Sequence, residues 1–555
     1  MSVENPWGTM PRNLVRGFSL VFLTLLIAHV VLQFSGRYVW DDAFMFIRYA
    51  DNLVGERAFA FNPGGPPTYG LTSPGYLVVV VPLRLLIRGL PVLTMLISSA
   101  LCGAAFLALL FFLIRRELSD DSPVRRAAAY VVVLVSLAYD LEDFSPHIVS
   151  GMDTMFALAY VTMYIGISKR LEREPLWPLS IAAGVLGGLA FIARPDLLAF
   201  TIVIPAAQIV LSKDQHARIK ASCTLLISLV IVLVLMLMSA RFLGSPLPLP
   251  FYAKVLDSYG QFIRSKYGPV PLNELRDYIA SFPLLFAVIV AAIFVNPSGW
   301  WRRFSPADKG ILLAAILFMG YYTTCVLQIM FGNERFYYPA LPALCYVAAR
   351  STVFILEEVP LAAMLQRLTP RAVVRTFLAI SLGFIGLRVA PPLAASVINF
   401  ARSNTYFRFT VSDLYHQMFE HYWTRLDRVS TLPDDLSLAS TEVGLPSAMN
   451  PRKRVFDLAG LNEPIIAHHG FSVDEFFARY QPDLIYDPHP DYPELTRAIH
   501  LDPRIAEGYE WFSASSLSAQ MGVGIRKDGK YYVALREIFA GATGEKNVPT
   551  SPGLQ

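Results

Sequence analysis

Long apolar runs, interrupted at short intervals by charged or Gly/Pro-rich turns, fill the first 400 or so residues of the chain. Beyond about residue 398 the apolar runs shorten and turn residues and charges multiply. The first pattern predicts membrane helices, because a ~30 Å hydrocarbon core takes about 20 apolar residues to cross. Candidate spans lie at about 18–34, 92–114, 127–140, 152–168, 178–193, 197–211, 221–240, 277–295, 310–330, 337–357 and 377–396, eleven in all. The second pattern predicts a small α/β domain. Leu436–Ser440, Arg454–Leu458 and Leu484–Tyr486 read as strands and Val473–Tyr480 as a helix. Gly522–Arg526 and Tyr531–Leu535 read as a hairpin turning at Asp528-Gly529. Residues 541–555 are Gly/Pro/Thr-rich and predict a disordered tail.

One apolar stretch decides the topology. Gly75–Leu90 is broken by Pro82, Arg84, Arg88 and Gly89. If it crossed, Arg115/Arg116, Arg125/Arg126, Lys169/Arg170/Arg173, Lys213/Arg218/Lys220 and Arg302/Arg303/Lys309 would fall outside the cell. An interfacial helix there keeps all of these clusters in the cytoplasm, as basic loops prefer. Arg12 and Arg16 precede the first span, with no A-x-A cleavage site after it, so the N-terminus is expected in the cytoplasm. An odd number of spans then puts the C-terminal domain outside the bacterial inner membrane. The expected division is a membrane core over 1–397, with a first outer loop at 37–90, an extracytoplasmic α/β domain over 398–540, and the tail.

Composition narrows the class. Hydrophobic residues make up 54% and charged residues 16% of 555, with a formal charge of +4. This is a polytopic α-helical membrane protein with a polar appendage, and no basic patch suggests nucleic acid. Cys102, Cys223, Cys325 and Cys345 all sit in apolar runs and read as small buried hydrophobes. No internal repeat appears, which weighs against a transporter built from inverted halves.

The topology gathers polar residues on the outer face. Asp41, Asp42, Arg48 and Tyr49 lie in the opening loop, Asp153 begins a span, and Arg194 ends one. Lys254 follows another, and Glu334 and Arg335 link two more. Each has a plainer reading. Asp153 suits a helix N-cap, Arg194 and Lys254 suit snorkelling, and Glu334 with Arg335 suits a local ion pair. His147 reads as a loop residue, and His468-His469 as solvent-facing. Charges at the membrane are costly unless paired or solvated, so their convergence predicts a functional site.

Several segments together carry a family resemblance. Trp40-Asp41-Asp42-Ala43-Phe44 with Arg48-Tyr49-Ala50, Phe61-Asn62-Pro63-Gly64 and Thr72-Ser73-Pro74 resembles the first outer loop of C-fold (GT-C) integral-membrane glycosyltransferases. The likeness is nearest to the bacterial arabinofuranosyltransferases that use polyprenyl-phosphate-linked sugar. Ser150-Gly151-Met152-Asp153-Thr154, Ala193-Arg194-Pro195-Asp196, Tyr252-Ala253-Lys254 and Arg335-Phe336-Tyr337-Tyr338-Pro339 resemble further segments of that family. Ser440-Thr441-Glu442-Val443-Gly444 and Val455–Leu461 resemble the opening of its C-terminal domain. Met152-Asp153 stands where Leu-Glu is commoner.

The resemblance implies a GT-C arrangement and transfer of a sugar, a pentofuranose such as arabinofuranose, from a polyprenyl phosphate to a cell-envelope glycan. Asp41 or Asp42 would act as catalytic carboxylate, and the residues do not choose between them. Arg48, Tyr49, Asp153, Arg194, Lys254, Glu334 and Arg335 would bind donor phosphate or substrate. A divalent cation on Asp41 and Asp42 is left open, as is retention or inversion at the anomeric carbon. Transfer of another lipid-linked sugar onto protein or lipopolysaccharide is the alternative. A flippase is a further one, but it would put charges at mid-span.

Overall fold

The computed structural model describes residues 10–35, 40–255, 272–326, 334–359, 383, 425–487, 493–515 and 518–540. Helix α1 (Met10–Ser35) packs on α5 (Pro123–Tyr139) and α6 (Leu141–Val149). Between them lie α2 (Asp41–Gly55), the short α3 (Leu77–Leu86) and α4 (Pro91–Glu117). There follow α7 (Thr154–Arg173), α8 (Trp177–Ala193), α9 (Leu198–Leu211), α10 (Gln215–Leu243) and α11 (Leu249–Val255). The bundle continues with α12 (Leu272–Ser281), α13 (Pro283–Val295), α14 (Pro297–Arg303), α15 (Pro306–Thr324) and α16 (Leu341–Glu358).

Among the described residues, three segments are long and apolar enough to cross a bilayer alone: Pro91–Glu117, Gln215–Leu243 and Tyr338–Glu358. The expected span 277–295 is instead a bent pair, α12 and α13, with an angle of 87° between its halves. Pro283 at the start of α13 supplies no N–H, so the helical ladder breaks there. Taken as one span, the pair would be a fourth. Helices α1, α5, α7, α8, α9 and α15 also fall where spans were expected. Apart from residue 383, the span expected at 377–396 lies outside the described residues, as does the tail at 541–555. At ten residues α3 rises about 15 Å, half the thickness of a bilayer core.

Small residues let helices touch. A Cβ added to Gly184 or Gly188 of α8 would sit 2.7 Å from Ile227 Cβ or 2.5 Å from Ile231 Cβ of α10. Lipid gives apolar helices little reason to associate, so close backbone packing of this kind carries the contact.

The basic clusters assigned to one side meet at one end of the bundle. Lys169 of α7 pairs with Asp308 of α15 at 2.8 Å, and Arg173 with Glu117 of α4 at 2.9 Å. Tyr346 of α16 donates to Asp308 at 2.6 Å. Asp153, at the opposite end of α7, therefore lies at the opposite end of the bundle.

Among the described residues, the C-terminal part forms a five-stranded sheet in the order β2-β1-β3-β5-β4. Strands β1 (Ser437–Ser440), β2 (Arg454–Asp457) and β3 (Leu484–Asp487) run parallel. Strand β4 (Tyr509–Ser515) pairs antiparallel with β5 (Ser518–Arg526), and β5 with β3. Its helices are α17 (Gly444–Met449), α18 (Pro464–His469), α19 (Val473–Arg479), α20 (Pro493–Leu501), α21 (Pro503–Gly508) and α22 (Tyr532–Ala540). The expected hairpin at Gly522–Leu535 is not formed. Strand β5 pairs with β4 instead, and α22 buries Leu535, Ile538 and Phe539 at helical spacing. Cys102 and Cys345 are buried as expected, whereas Cys223 is half-buried and Cys325, just past the end of α15, is exposed.

Candidate active site

Helix α2 carries the site because its faces look in different directions. Residues one apart on a helix differ by about 100°, so adjacent side chains diverge while i, i+3, i+4 and i+7 align. Asp42, Met45 and Phe46 share a face and line a cavity of about 420 Å³. Asp41, Arg48 and Asn52 share another. That face is turned toward the sheet domain and the loop that follows α2. The Asp41 carboxylate accepts from the Gly444 and Leu445 N–H groups at 2.8 and 2.7 Å. Asn52 donates to the Ala60 and Phe61 carbonyls at 2.8 and 2.9 Å.

The Arg48 guanidinium is 1% exposed and points away from the cavity. It donates to the carbonyls of Phe61 at 2.7 Å, Ser447 at 3.2 Å, Asn450 at 2.9 Å and Lys453 at 2.6 Å. Burial lowers its pKa to about 10, opposed by the charges of Asp51 and Glu56. Tyr49 is fully buried, with its hydroxyl 3.0 Å from Asn462 Oδ1 and accepting from the Gly70 N–H at 3.1 Å. Neither Arg48, Tyr49, Asp41 nor Glu334 lines the cavity. Glu334 lies in the turn before Arg335, with a left-handed φ of 51°.

Asp42, Asp153, Arg194, Lys254 and Arg335 do meet there, though hundreds of residues separate them. The Ser150–Thr154 turn needs Gly151, whose φ is 78°. Its backbone also accepts the Trp40 N–H at Ser150 (3.1 Å), which fixes the start of α2. Asp153 occupies the N-cap position of α7, yet its side chain makes no cap bond. It accepts from Ser73 and lies 3.9 Å from Arg194.

Arg194 is anchored, not snorkelling. It grips Asp196 in bidentate fashion at 3.1 and 2.6 Å and donates to the Tyr322 hydroxyl at 3.1 Å. Tyr322 in turn donates to Asp196 at 2.5 Å. Arg335 donates to Asp42 at 3.0 Å, with its guanidinium over the Trp40 ring at 5.1 Å.

Among the described residues, the cavity lining contains three carboxylates (Asp42, Asp153, Asp196) and three cations (Arg194, Lys254, Arg335). Arg194 and Arg335 are taken by carboxylates. Lys254, placed by α11 behind a hydrogen bond from the Leu249 N–H to the Tyr69 carbonyl (2.8 Å), has no carboxylate partner among the described residues. Its ammonium lies 5.8 Å from the Phe336 ring centroid. Burial lowers its pKa, with Asp42 opposing and Arg335 and Arg194 assisting.

Among the described residues no three His, Cys, Asp or Glu side chains group closely enough to hold a metal ion. Asp41 and Asp42 face different partners. Asp196 and Tyr322 are the site residues that sequence reasoning left out. Asp196 stood in a quoted motif, but Tyr322 looked like one more aromatic at the end of a span. His468 is exposed, as expected of it, while its ring packs 4.2 Å from that of Tyr252 in α11.

Two crystal structures of ArnT from Cupriavidus metallidurans superpose on this architecture, one in the apo state and one bound to undecaprenyl phosphate. Each matches with a TM-score of 0.53 at 13% identity, over 92% of this chain and 98% of its own. The fold is GT-C. An oligosaccharyltransferase of Archaeoglobus fulgidus in the apo form also matches, at 13% identity over 92% of this chain and 74% of its own, with a TM-score of 0.48. No protein-family model and no curated protein matches the chain. In the GT-C framework of this chain, the cavity lies where α2, α11, the ends of α8 and α15, the starts of α7 and α9 and the turn before α16 converge, with Leu461 of the sheet domain beside them.

Proposed function

We propose that the protein is a membrane glycosyltransferase that moves a sugar from a polyprenyl-phosphate donor to a cell-envelope acceptor at the outer face of the inner membrane. One observation carries the reading: a carboxylate, Asp42, and a cation without a carboxylate partner among the described residues, Lys254, face the same 420 Å³ cavity. That volume is of the size that holds a sugar and its phosphate. The undecaprenyl phosphate bound to the similarly folded ArnT supports a lipid of this class. The pentofuranose rests on the motif resemblance, as do residues 1–397 as catalytic core and 398–540 as outer domain.

In an inverting displacement, the acceptor hydroxyl oxygen attacks the anomeric carbon while Asp42 takes its proton. The bond from that carbon to the phosphate oxygen breaks, and polyprenyl phosphate leaves with the electron pair. Lys254 and Arg335 hold the phosphate, lysine as a compact charge and arginine by its planar fork. The phosphate and Asp42 share Arg335, so donor binding draws the guanidinium off Asp42 and frees a carboxylate oxygen for the acceptor. Arg194 stays with Asp196 and Asp153 as the rigid wall.

The test is to supply purified full-length protein with a panel of polyprenyl-phosphate sugars and envelope glycans and to measure released polyprenyl phosphate. Release with one donor class, dependent on acceptor, is expected. No release from any donor would sink the reading.

A further inference from the structure

In the opening segment, from Asp41 to Asn62, four polar side chains hold the sheet domain: Asp41, Arg48, Tyr49 and Asn62. Helix α17 lies along α2, gripped at both ends. Asp41 accepts its first N–H groups, and Arg48, two turns on, takes the carbonyls of Ser447, Asn450 and Lys453 at and beyond its last turn. An acid at a helix N-terminus and a cation at its C-terminus each complement the exposed backbone groups. Asn62 then exchanges two bonds with the backbone of Val455 on edge strand β2, at 2.8 and 3.0 Å. The fit is close. A Cβ on Gly444 would lie 1.7 Å from the Asp41 carbonyl oxygen.

Asp42 follows Asp41 on the same rigid turn, about 100° round the helix. Any slip of α17 along α2 therefore moves the carboxylate that faces the cavity. We propose that Asp41 and Arg48 are positioning residues, through which docking of the sheet domain sets the place of the Asp42 carboxylate. This rests on the transferase reading above. Among the described residues the sheet domain adds only Leu461, from the loop after β2, to the cavity lining. Geometry, not binding, is what it supplies.

The experiment compares Asp41→Asn, Arg48→Met, Arg48→Lys and Gly444→Ala in the full chain, with two readouts. In steady-state transfer assays, kcat is expected to fall about tenfold to a hundredfold, the scale of an ångström-sized misplacement, while the donor KM holds. Arg48→Lys, which keeps the charge, is expected to recover part of the loss seen in Arg48→Met. The Asp41→Asn and Gly444→Ala losses should not multiply when combined, since both loosen one contact. An unchanged kcat, or a loss matched wholly by the fraction unfolded, overturns the proposal while wild-type turnover keeps the transferase reading standing. The second readout needs no turnover. Asp41→Asn should speed amide exchange in residues 444–449 and in 42–47 alike, and protection unchanged in 42–47 overturns the coupling whatever the donor proves to be.

Discussion

Asp41 and Asp42 are neighbours in the chain whose carboxylates serve different partners. Asp41 accepts the Gly444 and Leu445 N–H groups at 2.8 and 2.7 Å, and Asp42 faces Arg335 at 3.0 Å. Helical geometry alone produces the division, and it sets an acid at the start of α17 beside an acid at the cavity within one dipeptide.

Lys254→Met should weaken donor binding. Losing a charge-assisted hydrogen bond to phosphate, worth about 1.5–3 kcal/mol, predicts a donor KM raised roughly tenfold to a hundredfold by the tenfold-per-1.4 kcal/mol rule. Titrating donor against initial rate checks this, and an unchanged KM would remove Lys254 from the phosphate site.

The pH dependence follows from the same side chain. Burial lowers the Lys254 pKa below its ordinary value, so the ammonium is lost as pH rises through that lowered value. The kcat/KM for donor should fall on the alkaline side of the wild-type profile. In Lys254→Arg that limb should move to higher pH, because guanidinium stays charged. A profile identical in both proteins contradicts the assignment.

Arg194 should behave differently from Lys254. Arg194→Met strands Asp196 and Asp153 in a buried setting, where loss of one partner of a buried pair costs about 3–5 kcal/mol. Its melting temperature in detergent should drop by several degrees, whereas Lys254→Met should melt close to wild type. Equal melting of the two variants would show that Arg194 does not hold the cavity wall.

The helix seam offers a stability test far from the chemistry. At Gly188→Ala the new Cβ would meet Ile231 Cβ at 2.5 Å. Overpacking of this kind costs about 1–3 kcal/mol. Gly166→Ala, whose nearest neighbour atom would be 4.0 Å away at Leu113, is the control and should melt at or above wild type. A Gly188→Ala protein as stable as the control would mean that α8 and α10 are not packed this closely.

Much of the bundle was legible because apolar runs report helices directly. Arg115, Arg125 and Lys169 marked one end of it through charge alone. The bend at Pro283 was written in the sequence as a proline inside an apolar run, a signal that length masked. The Asp528-Gly529 turn misled because a turn ends a strand whether a strand or a helix follows. Period 3.6 at Leu535, Ile538 and Phe539 was the better guide. In the site, types and motifs brought Asp42, Asp153, Arg194, Lys254 and Arg335 forward. Arg48 and Tyr49 carried the same motif signal, yet they serve the sheet domain, because motif membership does not say which helix face a residue occupies. Tyr322 was illegible for the opposite reason, since its partner Asp196 lies 126 positions away.

The most direct measurement is polyprenyl phosphate release by wild type and by Asp42→Asn, side by side, with donor binding measured on both. The account predicts acceptor-dependent release by wild type. In Asp42→Asn it predicts release lower by about 10²–10⁴-fold, the usual contribution of a positioned acid–base group, with donor binding retained. Equal release rates from the two proteins would contradict it.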